Sequence, residues 1–112
     1  MIISKGQGVL GQIRFTDGTM PSYDRPYLVI DADASGVTLL NISSSAGKER
    51  KLLFPNNREI KNYNPPFLKP SFVKLDSLVH ITYAEASNLR ILGGGACLNT
   101  QELSEIISAI TT

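Results

Sequence analysis

The alternation of apolar and polar positions divides the chain into short segments. Val9, Gly11, Ile13 and Phe15 alternate with Leu10, Gln12, Arg14 and Thr16, the period of two that a strand with one buried face requires. Asp17, Gly18, Thr19, Met20, Pro21 and Ser22 follow with turn chemistry, Gly18 being able to take positive φ. Residues 27–32 form a near-continuous apolar run and predict a central strand. A second turn at residues 33–36 leads to a third strand over 37–43, with Val37, Leu39 and Asn41 on one face and Thr38, Leu40 and Ile42 on the other.

The second half is more broken. Residues 43–51 form a polar loop ending in Lys48, Glu49, Arg50 and Lys51, which reads as an exposed hairpin tip. Leu52, Leu53 and Phe54 predict a short strand. Residues 55–70 hold four prolines and several asparagines, so an irregular surface crossing is expected. Residues 71–76 alternate again, Phe72 and Lys74 opposing Val73 and Leu75, and a bulge near Asp76 and Ser77 separates them from a strand over 78–83. Gly93, Gly94 and Gly95 read as a flexible connector, since no Gly-Lys-Ser/Thr follows to make a phosphate loop. The last element is a helix. Asn99 and Glu102 fit a capping box, and Leu103, Ile106, Ile107 and Ile110 form one apolar stripe. That stripe is expected to pack on the sheet or on a second subunit. Five to seven short strands and one C-terminal helix predict a mainly β fold, a small, strongly bent antiparallel barrel, in one domain over residues 1–112.

Composition narrows the partners and the compartment. Hydrophobic residues at 42% and charged residues at 19% describe a globular chain. There is no run of about 18 apolar residues, so no membrane span or membrane partner is expected, and residues 1–10 lack a signal-peptide core. The single cysteine, Cys97, excludes an internal disulfide and fits the cytoplasm, packing as a small buried or half-exposed filler. With His80 the only histidine, a Cys/His zinc site is not expected, nor any other cofactor. A net charge of +1 denies nucleic-acid binding any general support, so such a partner needs local clustering of Lys and Arg.

One candidate cation is Arg25, at the mouth of the second strand and followed by Pro26, whose fixed φ suits the first residue of a strand. A rigidly held cation facing solvent is what a phosphate-handling surface needs. The same residue also reads as an ordinary edge arginine. Lys74 and Asp76 fall on one face of their strand by alternation, either as a plain surface ion pair or as chemistry. Cyclising phosphoryl transfer needs a base for the 2′-hydroxyl proton, a cation on the phosphate and an acid for the leaving 5′-oxygen. Asp76 supplies the base and Arg25 the cation, and Lys74 supplies the acid or else a second clamp. His80 offers another base near neutral pH, or is a strand residue with no such role.

Three stretches carry a family resemblance: Gly8-Val9-Leu10-Gly11-Gln12-Ile13-Arg14-Phe15, then Arg25-Pro26-Tyr27-Leu28-Val29-Ile30, then Pro70-Ser71-Phe72-Val73-Lys74-Leu75-Asp76-Ser77-Leu78-Val79-His80-Ile81. In this order, with a helix after Leu92, the chain resembles the MazF/PemK toxins of toxin–antitoxin systems along nearly its whole length. The resemblance implies an SH3-like, CcdB-type barrel acting as a homodimer. It further implies metal-independent cleavage of single-stranded RNA to a 2′,3′-cyclic phosphate and a 5′-hydroxyl, blocked by a cognate antitoxin. Arg25 falls on the family's phosphate-contacting arginine, and Ser43 on a position usually held by threonine or serine whose hydroxyl orients the phosphate. Lys74 and Asp76 fall on an acid/base pair that is an arginine and an aspartate in PemK-like members. Thr19, Asp24, Lys48 and His80 are assigned to substrate binding. The chain departs from the family where Asp76-Ser77-Leu78-Val79-His80 lacks a second arginine, where Thr19 stands near a loop histidine of some members, and where Lys74 replaces arginine and its bidentate fork. Two other readings stay open: a non-catalytic member that binds a protein target as gyrase poisons do, and a structural barrel module of a phage or plasmid.

Overall fold

The computed structural model describes residues 3–14 and 17–110. Seven strands form one antiparallel sheet: β1 (Gly8–Gly11), β2 (Arg25–Asp33), β3 (Gly36–Ser44), β4 (Asn57–Ile60), β5 (Ser71–Lys74), β6 (Val79–Ile81) and β7 (Arg90–Ile91). The helices are α1 (Tyr83–Ala86) and α2 (Thr100–Ala109), with 3₁₀ turns at Glu49–Leu53 and Gly93–Gly95. None of the described helices is long and apolar enough to cross a membrane.

β2 and β3 are the centre of the sheet because both of their faces are apolar. Leu28, Ile30, Leu40 and Ile42 enter one core cluster, while Tyr27, Val29, Val37 and Leu39 enter a second on the opposite face. A fully buried side chain of this size contributes about 1.5–3 kcal/mol, so the pair anchors both cores. Besides β2, β3 pairs with two further strands, one along each half. Val37, Thr38 and Leu39 pair with β6, and Ile42, Ser43 and Ser44 pair with β5. Splitting one strand between two neighbours bends the sheet, and a register shift in β2 between Val29 and Asp31 adds to the bend.

The bend does not produce the closed barrel expected from the strand count. Ladders run β4-β5-β3-β2-β1-β7, and among the described residues none joins β4 to β7. β4 is instead tied to the rest of the core by side chains. Ile60 of β4 meets Phe67, Leu98 and, from α2, Leu103 and Ile106 in the first cluster. A Cβ on Gly8 of β1 would meet Pro66 and Phe67, so the proline-rich segment lies directly on β1.

Several sequence boundaries shift. The first strand ends at Gly11: Gln12, Ile13 and Arg14, expected to continue it, are not in a strand, while Phe15 and Thr16 lie outside the described residues. Leu52, Leu53 and Phe54 make no strand. The 3₁₀ turn takes Leu52 and Leu53, and Leu53 and Phe54 are exposed. The proline-rich segment contains β4, whose pairing with β5 depends on residues far away in the chain. The strand expected over 78–83 stops at Ile81, because Thr82 caps α1: its hydroxyl accepts the Glu85 N–H and the Glu85 carboxylate accepts the Thr82 N–H. The C-terminal helix is placed as the stripe requires. Asn99 caps it, but Glu102 does not close a box. It is buried and accepts the Asn62 N–H at 2.7 Å. Cys97 is exposed, not a filler.

Candidate functional site

The site lies where β2, β3 and the end of β5 meet. Arg25 opens β2 opposite Gly11, and Tyr27 pairs with Asn41 of β3. Lys74 closes β5. Asp76 follows in a turn, so the alternation of a continuous strand is not what brings it beside Lys74. The turn closes with the Ser77 N–H donating to the Lys74 carbonyl at 3.1 Å, and the Ser77 hydroxyl donates to the same carbonyl at 2.6 Å. Ser77 Oγ also accepts the Asn41 N–H at 2.8 Å, and the Asn41 amide donates to the Pro26 carbonyl at 3.2 Å. These bonds tie the Lys74–Asp76 turn to β3 and, through Asn41, to the start of β2 beside Arg25.

The result is a cavity of about 350 Å³. Its polar lining is Arg14, Arg25, Asn41, Lys74, Asp76 and Ser77, and its apolar and aromatic lining is Ile13, Tyr27, Leu78 and Val79. A second hollow of about 430 Å³ adjoins it, with Tyr23, Pro26, Ile42, Ser43, Ser44, Lys48 and Lys51 in its lining. Arg25, Asn41 and Lys74 line both, so the two form one cleft. Lys48 and Lys51 reach it together because the Lys51 N–H donates to the Lys48 carbonyl at 2.9 Å, a turn that stacks residues three apart on one side.

Electrostatics follow from this crowding. Burial, and then the cations of Lys51, Arg25 and Lys48, hold the Lys74 ammonium below the usual lysine range, with Asp76 pulling the other way. Burial pushes the Tyr27 phenol up, opposed by Arg25. The Arg25 guanidinium carbon lies 5.0 Å from the centre of the Tyr23 ring, a cation–π contact. Asp76 receives an N–H of the Asn56 amide at 3.5 Å.

The structure therefore brings Arg25, Lys74 and Asp76 to one cavity, and Ser43 and Lys48 to the adjoining hollow, where the Lys48 ammonium donates to Ser43 Oγ at 3.3 Å. Thr19, Asp24 and His80 line neither. Thr19 is bound to Asp17, its hydroxyl donating at 2.6 Å and its N–H at 2.9 Å. His80 sits opposite Thr38 on the β6 side of β3, with Nδ1 2.9 Å from the Thr38 hydroxyl and Nε2 3.3 Å from the Ser35 hydroxyl. Asn41, Ser77, Tyr23 and Arg14 were not foreseen. Asn41 had a visible signal, a buried amide between Leu40 and Ile42. Ser77 had none.

Among the described residues no three His, Cys, Asp or Glu side chains gather as a metal-binding group. Comparison with protein-family models gave no match, and comparison with curated proteins gave none. The chemistry of the cleft thus stands on its own residues: the cavity is lined by three cations, a carboxylate and a set of apolar and aromatic side chains.

Proposed function

We propose that this chain is a metal-independent endoribonuclease of the MazF/PemK type, with an SH3-like, CcdB-type topology. It cuts single-stranded RNA in the cytoplasm as a homodimer and is held in check by an antitoxin protein. The observation that carries the reading is that Arg25, Lys74 and Asp76, drawn from two distant segments, line one cavity.

The roles follow from the chemistry of each group. The Asp76 carboxylate takes the proton of the ribose 2′-hydroxyl, and the 2′-oxygen forms a bond to phosphorus. Arg25 donates to the non-bridging oxygens as their charge rises, a contribution whose removal costs on the order of 10²–10³ in rate. The bond from phosphorus to the 5′-oxygen breaks, and the Lys74 ammonium gives that oxygen its proton. A lysine already pushed toward neutrality by burial and by Lys51 gives up a proton more readily than a solvated one. The products are a 2′,3′-cyclic phosphate and a 5′-hydroxyl. Water returns the Asp76 proton to Lys74. The apolar and aromatic lining of Ile13, Tyr27, Leu78 and Val79 suits the face of a base.

The test is incubation of the purified protein with a pool of varied RNAs in EDTA. Cleavage to cyclic-phosphate ends is expected, and Arg25→Ala abolishes it. An intact pool under wild-type protein overturns the proposal. One observation favours a second reading, a non-catalytic protein-binding member of the same fold: Leu53 and Phe54, beside the Lys51 turn, are 83% and 56% exposed. That reading expects growth arrest that survives Arg25→Ala.

A further inference from the structure

Tyr23 precedes β2 and is 60% exposed, yet its ring is not loose on the surface. The Arg25 guanidinium sits 5.0 Å from the ring centre and covers one face. A ring held by a cation and lining a hollow presents a flat π surface at little entropic cost, since it has only two side-chain torsions. The hollow that Tyr23 lines also holds Ser43, Lys48, Lys51 and Lys74. An aromatic face next to lysines is the pattern by which proteins take a single nucleic-acid strand: the base stacks and the backbone phosphate meets the cations.

We propose that Tyr23 is the stacking platform for an unpaired nucleobase, and that Lys48 and Lys51 hold a phosphate of the same strand. The second hollow is then the subsite of a nucleotide next to the one whose phosphate meets Arg25. Arg25 works on both sides, fixing the platform with its plane and lining the reaction cavity. The inference rests on the nuclease reading for the identity of the strand. An unpaired strand is favoured over a duplex because a stacked base must be free to splay, and because a net charge of +1 offers no broad electrostatic footprint for a double helix.

The experiment measures binding without cleavage. The probes are 2′-O-methyl oligonucleotides of A, C or U, which have no free 2′-hydroxyl to cyclise. Tyr23→Leu is expected to weaken binding at least about fivefold while leaving the salt dependence of affinity unchanged. Tyr23→Phe retains wild-type affinity. Lys51→Ala instead lowers the slope of log affinity against log salt by about 0.7. The chain has no tryptophan, so Tyr23→Trp introduces a lone fluorophore whose emission is quenched by the oligonucleotides but not by tripolyphosphate, which carries charge and no base. Equal quenching by tripolyphosphate, or wild-type affinity in Tyr23→Leu, overturns the stacking role. Cleavage of the RNA pool by wild-type protein reports separately on the nuclease reading. A protein that binds with the tryptophan signal but cuts nothing keeps the subsite and loses the nuclease. One that cuts with no such signal does the reverse.

Discussion

The Asn41 N–H donates to Ser77 Oγ at 2.8 Å across 36 residues of chain. Ser77 passes the tie on through its own donation to the Lys74 carbonyl. This hydroxyl therefore sets the position of the Lys74–Asp76 turn relative to the central strand. Ser77→Ala leaves the N–H of a buried residue without its acceptor, which costs about 1–3 kcal/mol. Urea unfolding is expected to show a loss of that size, together with slower RNA cleavage by the same preparation. An unchanged unfolding midpoint would remove Ser77 from this role.

Lys74 makes stability depend on pH in a definite direction. Burial and three neighbouring cations lower its pKa in the folded chain, while the unfolded lysine titrates near the ordinary lysine value of 10.5. Between the lowered value and 10.5 the unfolded state binds more protons, so stability rises with pH through that window. The penalty for the charge is complete below the window and absent above it. Lys74→Met removes the charge at every pH. The difference in unfolding free energy, variant minus wild type, should be largest near neutral pH and fall as pH approaches 10.5. A difference independent of pH contradicts the crowded-cation account.

Asp76 and His80 are separated by the fold, which distinguishes the two candidate bases. Asp76→Asn is expected to slow cleavage by a factor of about 10²–10⁴, the usual contribution of a positioned general base. His80→Gln leaves the rate unchanged, because His80 is bonded to Thr38 and Ser35 away from the cavity. Single-turnover cleavage of one RNA by both variants decides the matter, and the opposite ranking would transfer the base to His80.

Gly36 turns β2 into β3 with φ of 146°, and a Cβ there would press into the Ile81 carbonyl oxygen of β6. Gly36→Ala combines backbone strain with a clash against main chain and should cost at least about 2 kcal/mol. Thermal unfolding followed by circular dichroism measures it. A wild-type melting temperature would show that the hairpin shifts freely.

The elements that depend on local pattern were legible in the residues themselves. The apolar run from Tyr27 to Ile30, the alternation around Leu39 and Leu40, the stripe Leu103, Ile106, Ile107 and Ile110, and the Asn99 cap needed no partner to be read, because side-chain direction repeats every two or 3.6 residues. Arg25, Lys74 and Asp76 were legible as residue types at the ends of such elements. The strand at Asn57–Ile60 was hidden because the strand it pairs with, β5, and the α2 residues it packs against are remote in sequence. The 3₁₀ turn at Glu49–Leu53 was hidden because three apolar residues read equally well as strand or turn.

Where the central strands β2 and β3 and the helix α2 lie, and which faces they bury, was therefore determined by the sequence alone, since hydrophobic period is a local property. Tertiary structure alone decided that the sheet stays open and that Ile60 of β4 shares a core with Phe67 and α2, since packing depends on neighbours in space. It alone decided that Lys74 and Asp76 meet Arg25 and that His80 does not. A bend in one strand sends β5 and β6 to different halves of β3, and charges feel one another through distance in space, not along the chain.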